Sequence, residues 1–129
     1  MSKYEFAIRE TKTVEVIQDV STMKSEIGVL YRSDFNRKFI DRLLRSLNLR
    51  FHSLIECQAY VYIWKNHPLA KEESICFEQL QDYPCLSFEQ GDNSSFYFAE
   101  EILSTNEYPQ VIKANDRATM LNLMLGLNG

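Results

Sequence analysis

Two short apolar runs separated by a proline-containing turn constrain the fold more than any other feature of the sequence. The first run, Ala59–Trp64, ends at a polar segment that contains Pro68, and the second run is Pro84–Phe88. Runs of this length bounded by turn residues are typical of β-strands. The segment Ile75–Leu80 between them fits a short helix. The pattern therefore predicts a strand that ends at a proline-containing turn, then a short helix and a second strand.

The rest of the chain alternates strand-like and helix-like patterns. The clearest helix is Phe35–Leu47, where apolar residues recur at steps of three and four and basic residues fill the other side. Such alternation predicts an α/β domain with a mostly parallel sheet. The further predicted strands are Tyr4–Arg9, Ile27–Tyr31, two within Phe51–Trp64, and Gln110–Lys113, and the further predicted helices are Thr13–Val20, Phe96–Leu103 and Ala118–Leu125 with Asp116 as its cap.

Length and charge limit the class of protein. A chain of 129 residues, 45% hydrophobic and 25% charged, is typical of one soluble domain. The net charge is −4 and the fourteen lysines and arginines are scattered, so no basic face predicts contact with nucleic acid. No apolar stretch reaches the roughly 18 residues of a membrane span, and the N-terminus lacks the apolar core of a signal peptide. We therefore expect a cytoplasmic protein that binds neither nucleic acid nor membrane.

Cysteine and histidine usage gives no support for a metal or redox centre. Cys57, Cys76 and Cys85 are odd in number and far apart, and we expect buried free thiols in a reducing compartment. The two histidines and the lack of a Cys-x-x-Cys pair give a zinc site no basis. The glycine-rich signatures that cradle phosphates are also absent. We therefore expect neither a metal nor a cofactor.

A series of short motifs carries a family resemblance. In chain order, the motifs are Glu26–Val29, Tyr60–Trp64, His67-Pro68-Leu69-Ala70, Ile75, Leu80, Tyr83-Pro84, Cys85–Phe88 and Gly126–Gly129. Each motif is weak alone, but their order and spacing resemble the effector-binding domain of LysR-type transcriptional regulators. The resemblance covers most of the chain.

The resemblance implies a fold, a function and a fragment. The fold is the α/β, periplasmic-binding-protein-like (type II) architecture with two lobes, of which residues 1–58 would be part of the first lobe with the crossover and residues 59–129 the second lobe. The function implied is effector sensing rather than catalysis, with a small molecule between the lobes modulating transcription. Relative to the family pattern, we expect a fragment truncated at both ends, with DNA bound by an absent helix-turn-helix domain. Family members also dimerise through this domain.

Ligands of open α/β sheets lie beyond the carboxyl ends of the strands. Three predicted loops occupy such positions, namely Tyr31–Asp34, Glu89–Ser95 and Asn115–Arg117. The helix N-terminus after the second loop suits an anion, as do Arg32 and Arg117. By resemblance, the crossover strands and loops also lie near a ligand. The candidate effector-binding residues are Tyr31, Arg32, Glu89, Gln90, Ser94, Ser95, Asn115, Asp116 and Arg117, for a small-molecule effector such as a carboxylate or other anion.

Several alternatives remain open from the residues themselves. The serines before Phe96 fit simple helix caps, and the two arginines fit surface ion pairs with neighbouring carboxylates. The chain also fits a stand-alone solute-binding domain, or a small α/β enzyme with Glu89 or Asp116 as a general base. His67 is predicted to be a turn residue with local hydrogen bonds. An unpaired edge at Tyr4–Arg9 predicts self-association and hence a homodimer.

Overall fold

The described part of the chain contains five helices and two strands. The computed structural model describes residues 3–91, 95–99 and 107–129. In chain order the elements are α1 (Thr13–Ser21), α2 (Arg37–Ser46), α3 (Phe77–Leu80), β1 (Cys85–Phe88), α4 (Ser95–Phe98), β2 (Val111–Ala114) and α5 (Arg117–Leu127).

The two strands form a parallel pair. Cys85 lies opposite Val111 and Phe88 opposite Ala114. The ladder is extended at both ends, since the N–H of Cys85 donates to the Gln110 carbonyl at 2.9 Å and the N–H of Glu89 donates to the Ala114 carbonyl at 2.8 Å. α5 follows β2 directly and packs against both strands. The predicted parallel pairing is therefore confirmed for these two strands, and their carboxyl ends lie side by side.

Helices from both halves of the sequence share one apolar core. Ile17 of α1, Ile40 and Leu44 of α2 and Phe98 of α4 are all buried, and Ile40 has no exposed surface. A hydrogen bond also joins α1 to α4, since Thr13 Oγ1 donates to the main-chain carbonyl of Phe98 at 3.1 Å. These contacts fix α1 and α2 beside the β1–α4–β2 unit.

Most predicted helices are confirmed with adjusted ends. α1 and α5 cover the predicted segments and extend beyond them, and Asp116 caps α5 as expected. α2 is shorter than predicted because Phe35 lies before its first turn, half exposed. α3 begins at Phe77, and α4 ends at Phe98, while residues 100–103 of its predicted course lie outside the described residues. No helix in the described ranges has both the length and the apolar character needed to cross a membrane.

Three predicted strand regions are not strands. Tyr4–Arg9, Ile27–Tyr31 and Phe51–Trp64 run without a hydrogen-bonded ladder, so these predictions were wrong. Their sequences have the apolar character of strands, yet many of their large side chains are exposed. A strand is stable only when a neighbour pairs its main-chain N–H and C=O groups, and no such neighbour lies among the described residues.

The thiols are free, but two of them are not buried as predicted. Cys57 and Cys76 are exposed and Cys85 is half-buried. Cys57 lies in the unpaired segment Phe51–Trp64, where two strands were predicted. Cys76 precedes the four-residue helix α3, which has no buried residue. Among the described residues, neither segment is packed closely enough to bury its thiol.

Candidate functional site

A pocket of about 450 Å³ opens at the carboxyl ends of β1 and β2. Three segments line it: the approach to α1 with its first turn, the end of β1 with the two residues that follow, and the start of α5. Parallel strands direct their following loops to one edge of the sheet, which is where ligands of open α/β sheets lie. The residues that line the pocket are Glu10, Thr11, Lys12, Glu15, Phe88, Glu89, Gln90, Asn115, Asp116, Arg117 and Ala118.

Gln90 is the buried polar residue of this pocket. Only 3% of its surface is exposed, and its Oε1 accepts a hydrogen bond from the Thr13 N–H at 3.1 Å. That bond fixes the orientation of the amide, because the oxygen faces α1 and the nitrogen faces away from it. The Nε2 group has no hydrogen-bond partner among the described residues. A buried amide donor without a partner is costly, so the site suits an acceptor atom.

The backbone places this amide. The N–H of Glu89 continues the ladder to the Ala114 carbonyl, so Gln90 emerges directly from the sheet. Gly91 follows with a φ of 88°, a backbone conformation that residues other than glycine rarely adopt. The Glu89 carboxylate lies 3.7 Å from Lys12 Nζ, which joins the end of β1 to the approach to α1.

The N-terminus of α5 is already occupied by a carboxylate. Asp116 accepts hydrogen bonds from the N–H groups of Ala118 at 2.9 Å and Thr119 at 3.3 Å, and from the Thr119 hydroxyl. The side-chain and main-chain bonds from Thr119, with that from Ala118, lower the pKa of Asp116 below its ordinary value. Because this cap already accepts from two N–H groups of the first turn, α5 has fewer N–H donors for a second anion.

Arg117 ties the pocket walls together. Its Nε donates to Glu10 Oε1 at 2.5 Å, and its guanidinium carbon lies 4.6 Å from the ring centroid of Phe88. The side chain therefore connects the approach to α1, the end of β1 and the start of α5. It acts as a positioning group for the rim of the pocket, with a cation–π contact to the strand.

The charge balance of the pocket is negative. Its described lining holds four carboxylates and two cationic side chains, a formal charge of −2. Both cations are paired with carboxylates, Lys12 with Glu89 and Arg117 with Glu10. A negative concave surface raises the local concentration of cations and lowers that of anions. Within the described ranges, His, Cys, Asp and Glu side chains form no group of three that could hold a metal.

The structure brings five of the nine predicted site residues together, namely Glu89, Gln90, Asn115, Asp116 and Arg117. Tyr31 and Arg32 do not line this pocket. Arg32 instead donates to Asp41 at 2.7 Å and lies over the Phe51 ring at 3.9 Å, which is the ion-pair alternative. Ser94 lies outside the described residues. Ser95 is the first residue of α4, and its side chain belongs to the undescribed part.

Sequence reasoning missed the wall that precedes α1. Glu10 and Lys12 line the pocket, and Glu15 in the first turn of α1 joins them. The available signal was the loop between the predicted strand Tyr4–Arg9 and the predicted helix. In the predicted pattern this loop leads from a strand to a helix, as the other candidate loops do.

The histidine turn has a structural role at the other end of α5. Leu69 N–H donates to His67 Nδ1 at 3.0 Å, which confirms the predicted local hydrogen bond. The other ring nitrogen, Nε2, lies 2.9 Å from the Asn128 carbonyl. Since Nδ1 is an acceptor, Nε2 carries the proton and donates. Trp64 Nε1 also donates, to Asn128 Oδ1 at 2.9 Å.

Comparison with known proteins gives one match. A family model described as the LysR substrate binding domain matches residues 3–127. No curated protein and no solved structure matches the chain. Domains of the matched family bind ligands and have a regulatory rather than a catalytic role. Because the match spans nearly the whole sequence, the chain belongs to the LysR substrate binding domain family.

Proposed function

We propose that the chain is the effector-sensing part of a LysR-type transcriptional regulator and binds a small molecule in the pocket at the carboxyl ends of β1 and β2. The observation that carries this proposal is Gln90, a buried amide that lines the pocket with its donor unused among the described residues. Family membership supports a ligand-binding role for the domain. The ligand then supplies the acceptor that Nε2 lacks.

The charge of the pocket supports a neutral or zwitterionic effector. A simple anion, expected from the sequence alone, meets a lining of formal charge −2 and a helix N-terminus that Asp116 has already capped. A ligand with an acceptor oxygen for Gln90 and a neutral or cationic remainder fits both features. Amino acids, amides and small polyols have this chemistry.

Effector binding acts through the segments that the pocket joins. Ligand contacts from Gln90 on one side and from the Glu10–Glu15 wall on the other favour one arrangement of α1 against the β1–α4–β2 unit. A ligand shifts such an equilibrium by its difference in affinity for the two arrangements. The regulator works in the cytoplasm as a homodimer, and a helix-turn-helix region outside this sequence contacts DNA. The domain itself is not an enzyme.

A thermal-shift screen of the whole chain tests the proposal. The panel contains the twenty common amino acids, acetamide, glycerol, acetate and sulfate, and we expect at least one zwitterionic or neutral compound to raise the melting temperature. Gln90→Glu keeps the acceptor for Thr13 but removes the Nε2 donor, so it should abolish that shift.

Gln81→Glu is the matched control, because it makes the same chemical change at an exposed position and should leave the shift intact. Stabilisation by acetate or sulfate alone would refute the neutral or zwitterionic class of effector. A shift that persists in Gln90→Glu would remove the ligand from this pocket.

A further inference from the structure

Glu15 is the one carboxylate without a partner in the described lining of the pocket at the carboxyl ends of β1 and β2. Glu10 and Glu89 each form an ion pair with a basic residue of the lining. Asp116 accepts hydrogen bonds from main-chain N–H groups in the first turn of α5. Glu15 forms neither an ion pair nor a side-chain hydrogen bond with any described residue. Within this lining, its charge is therefore left uncompensated.

The usual local partners of a glutamate at this position do not hold Glu15. It is the third residue of α1, from which glutamate often reaches back to the N–H of the residue before the helix. Within the described residues, Glu15 makes no such bond. Lys12 lies three residues earlier, a spacing that favours an ion pair on a helix, but its Nζ lies 3.7 Å from Glu89 Oε1 instead. Glu15 is exposed, so its carboxylate is accessible to a ligand from solution.

A second unpartnered group lies beside the same turn of α1. The Gln90 amide is 3% exposed, and its Nε2 has no partner among the described residues. Its Oε1 accepts from the N–H of Thr13, the first residue of α1, and Glu15 follows two residues later. Two residues advance about 3 Å along a helix axis, so one small molecule can contact both groups. A donor and a carboxylate this close suit a ligand that has an acceptor oxygen and a cationic group.

An ammonium group suits this lining better than an anion does. Both basic residues of the described lining are paired, so an anion would have to draw a cation out of an ion pair. An ammonium group leaves both pairs intact and compensates the charge of Glu15. Its three N–H donors also allow it to bind the carboxylate and a further acceptor at the same time.

We propose that the effector carries a primary ammonium group which Glu15 binds, while an oxygen of the same molecule accepts from Gln90 Nε2. This inference rests on the proposed sensing function and narrows its effector class from neutral or zwitterionic compounds to ammonium compounds. A hydrogen bond between an ammonium group and a carboxylate is roughly twice as strong as one between neutral groups. The pocket therefore selects amines and amino acids over amides and polyols of similar size.

Matched compounds that differ in the ammonium group test the proposal. Thermal-shift titrations of the whole chain at neutral pH compare glycinamide with acetamide, β-alaninamide with propionamide, and ethanolamine with ethylene glycol. We expect at least one ammonium compound to raise the melting temperature and its uncharged counterpart to leave it unchanged. Glu15→Gln keeps the size of the side chain and removes its charge. In calorimetry it should weaken binding of that ammonium compound by about tenfold or more, because a charge-assisted bond is lost.

Glu73→Gln is the matched control, because it removes the same charge at an exposed position outside the pocket lining and should leave the affinity unchanged. An unchanged affinity in Glu15→Gln would overturn the role of Glu15. Equal shifts from both members of every pair would overturn the ammonium class but leave the sensing function standing. The absence of a shift from any of the six compounds and from the wider screen would overturn both.

Discussion

His67 Nε2 donates to the main-chain carbonyl of Asn128 at 2.9 Å, which ties the turn after residue 64 to the last turn of α5. Asn128 adopts the left-handed conformation with a φ of 55° that commonly ends a helix. The Trp64 indole holds the side chain of the same asparagine. The His-Pro-Leu-Ala turn is therefore joined to the end of α5 by hydrogen bonds.

Replacing His67 by alanine should destabilise the fold. The histidine is 4% exposed, and its loss leaves the Leu69 N–H and the Asn128 carbonyl without partners in a partly buried position. We expect a decrease in the free energy of unfolding of about 1–3 kcal/mol. Urea unfolding followed by circular dichroism measures it. His52→Ala is the control, because His52 is exposed and should change stability by less than about 0.5 kcal/mol.

The shared helical core predicts a larger effect for Leu44. This side chain is buried between α2 and its neighbours, so truncation leaves a cavity. Leu44→Ala should lower the free energy of unfolding by about 2–5 kcal/mol. Leu54→Ala removes the same atoms from a side chain that is 79% exposed and should cost far less. Equal effects of the two substitutions in urea unfolding would contradict the assignment of this core.

The Asp116 cap of α5 predicts that the stability of the fold depends on pH. Hydrogen bonds from Thr119 and then Ala118 lower the pKa of Asp116 in the folded chain. A lowered folded pKa means that the stabilisation is complete above the unfolded value of about 3.9 and is lost as the pH falls through the folded pKa. We therefore expect the melting temperature of the wild type to approach that of Asp116→Asn as the pH is lowered from 7 to 3.

Asp82→Asn is the control for this pH series. Asp82 is exposed and caps no helix, so its substitution should leave the pH dependence of melting close to that of the wild type. A constant difference between wild type and Asp116→Asn across the series would show that the carboxylate charge is not what stabilises α5.

Local patterns in the sequence predicted the helices and the pair of strands that the structure contains. α1 and α5 follow from apolar spacing and, for α5, from the Asp116 cap, all of which involve residues close together in the chain. β1 and β2 follow from short apolar runs, and their parallel direction follows from the alternation of strands and helices. Their shared carboxyl edge then predicted five of the residues that line the pocket.

Properties that depend on distant partners were not predictable from the sequence. Tyr4–Arg9 has the pattern of a strand, but pairing requires a neighbour that no local pattern reveals. Arg32 resembles a ligand-binding arginine until Asp41 and Phe51 are seen beside it. The oriented amide of Gln90 depends on Thr13, which is 77 residues away in the chain.

The side-chain amide resonances of Gln90 test the central claim most directly. The titrant for ¹⁵N-labelled chain is the compound that gives the largest thermal shift among the amino acids, acetamide and glycerol. We expect the Gln90 Nε2 resonances to shift to saturation, with an affinity equal to that from calorimetry, while those of exposed Gln81 stay in place. Binding that leaves the Gln90 resonances unchanged would contradict an effector site in this pocket.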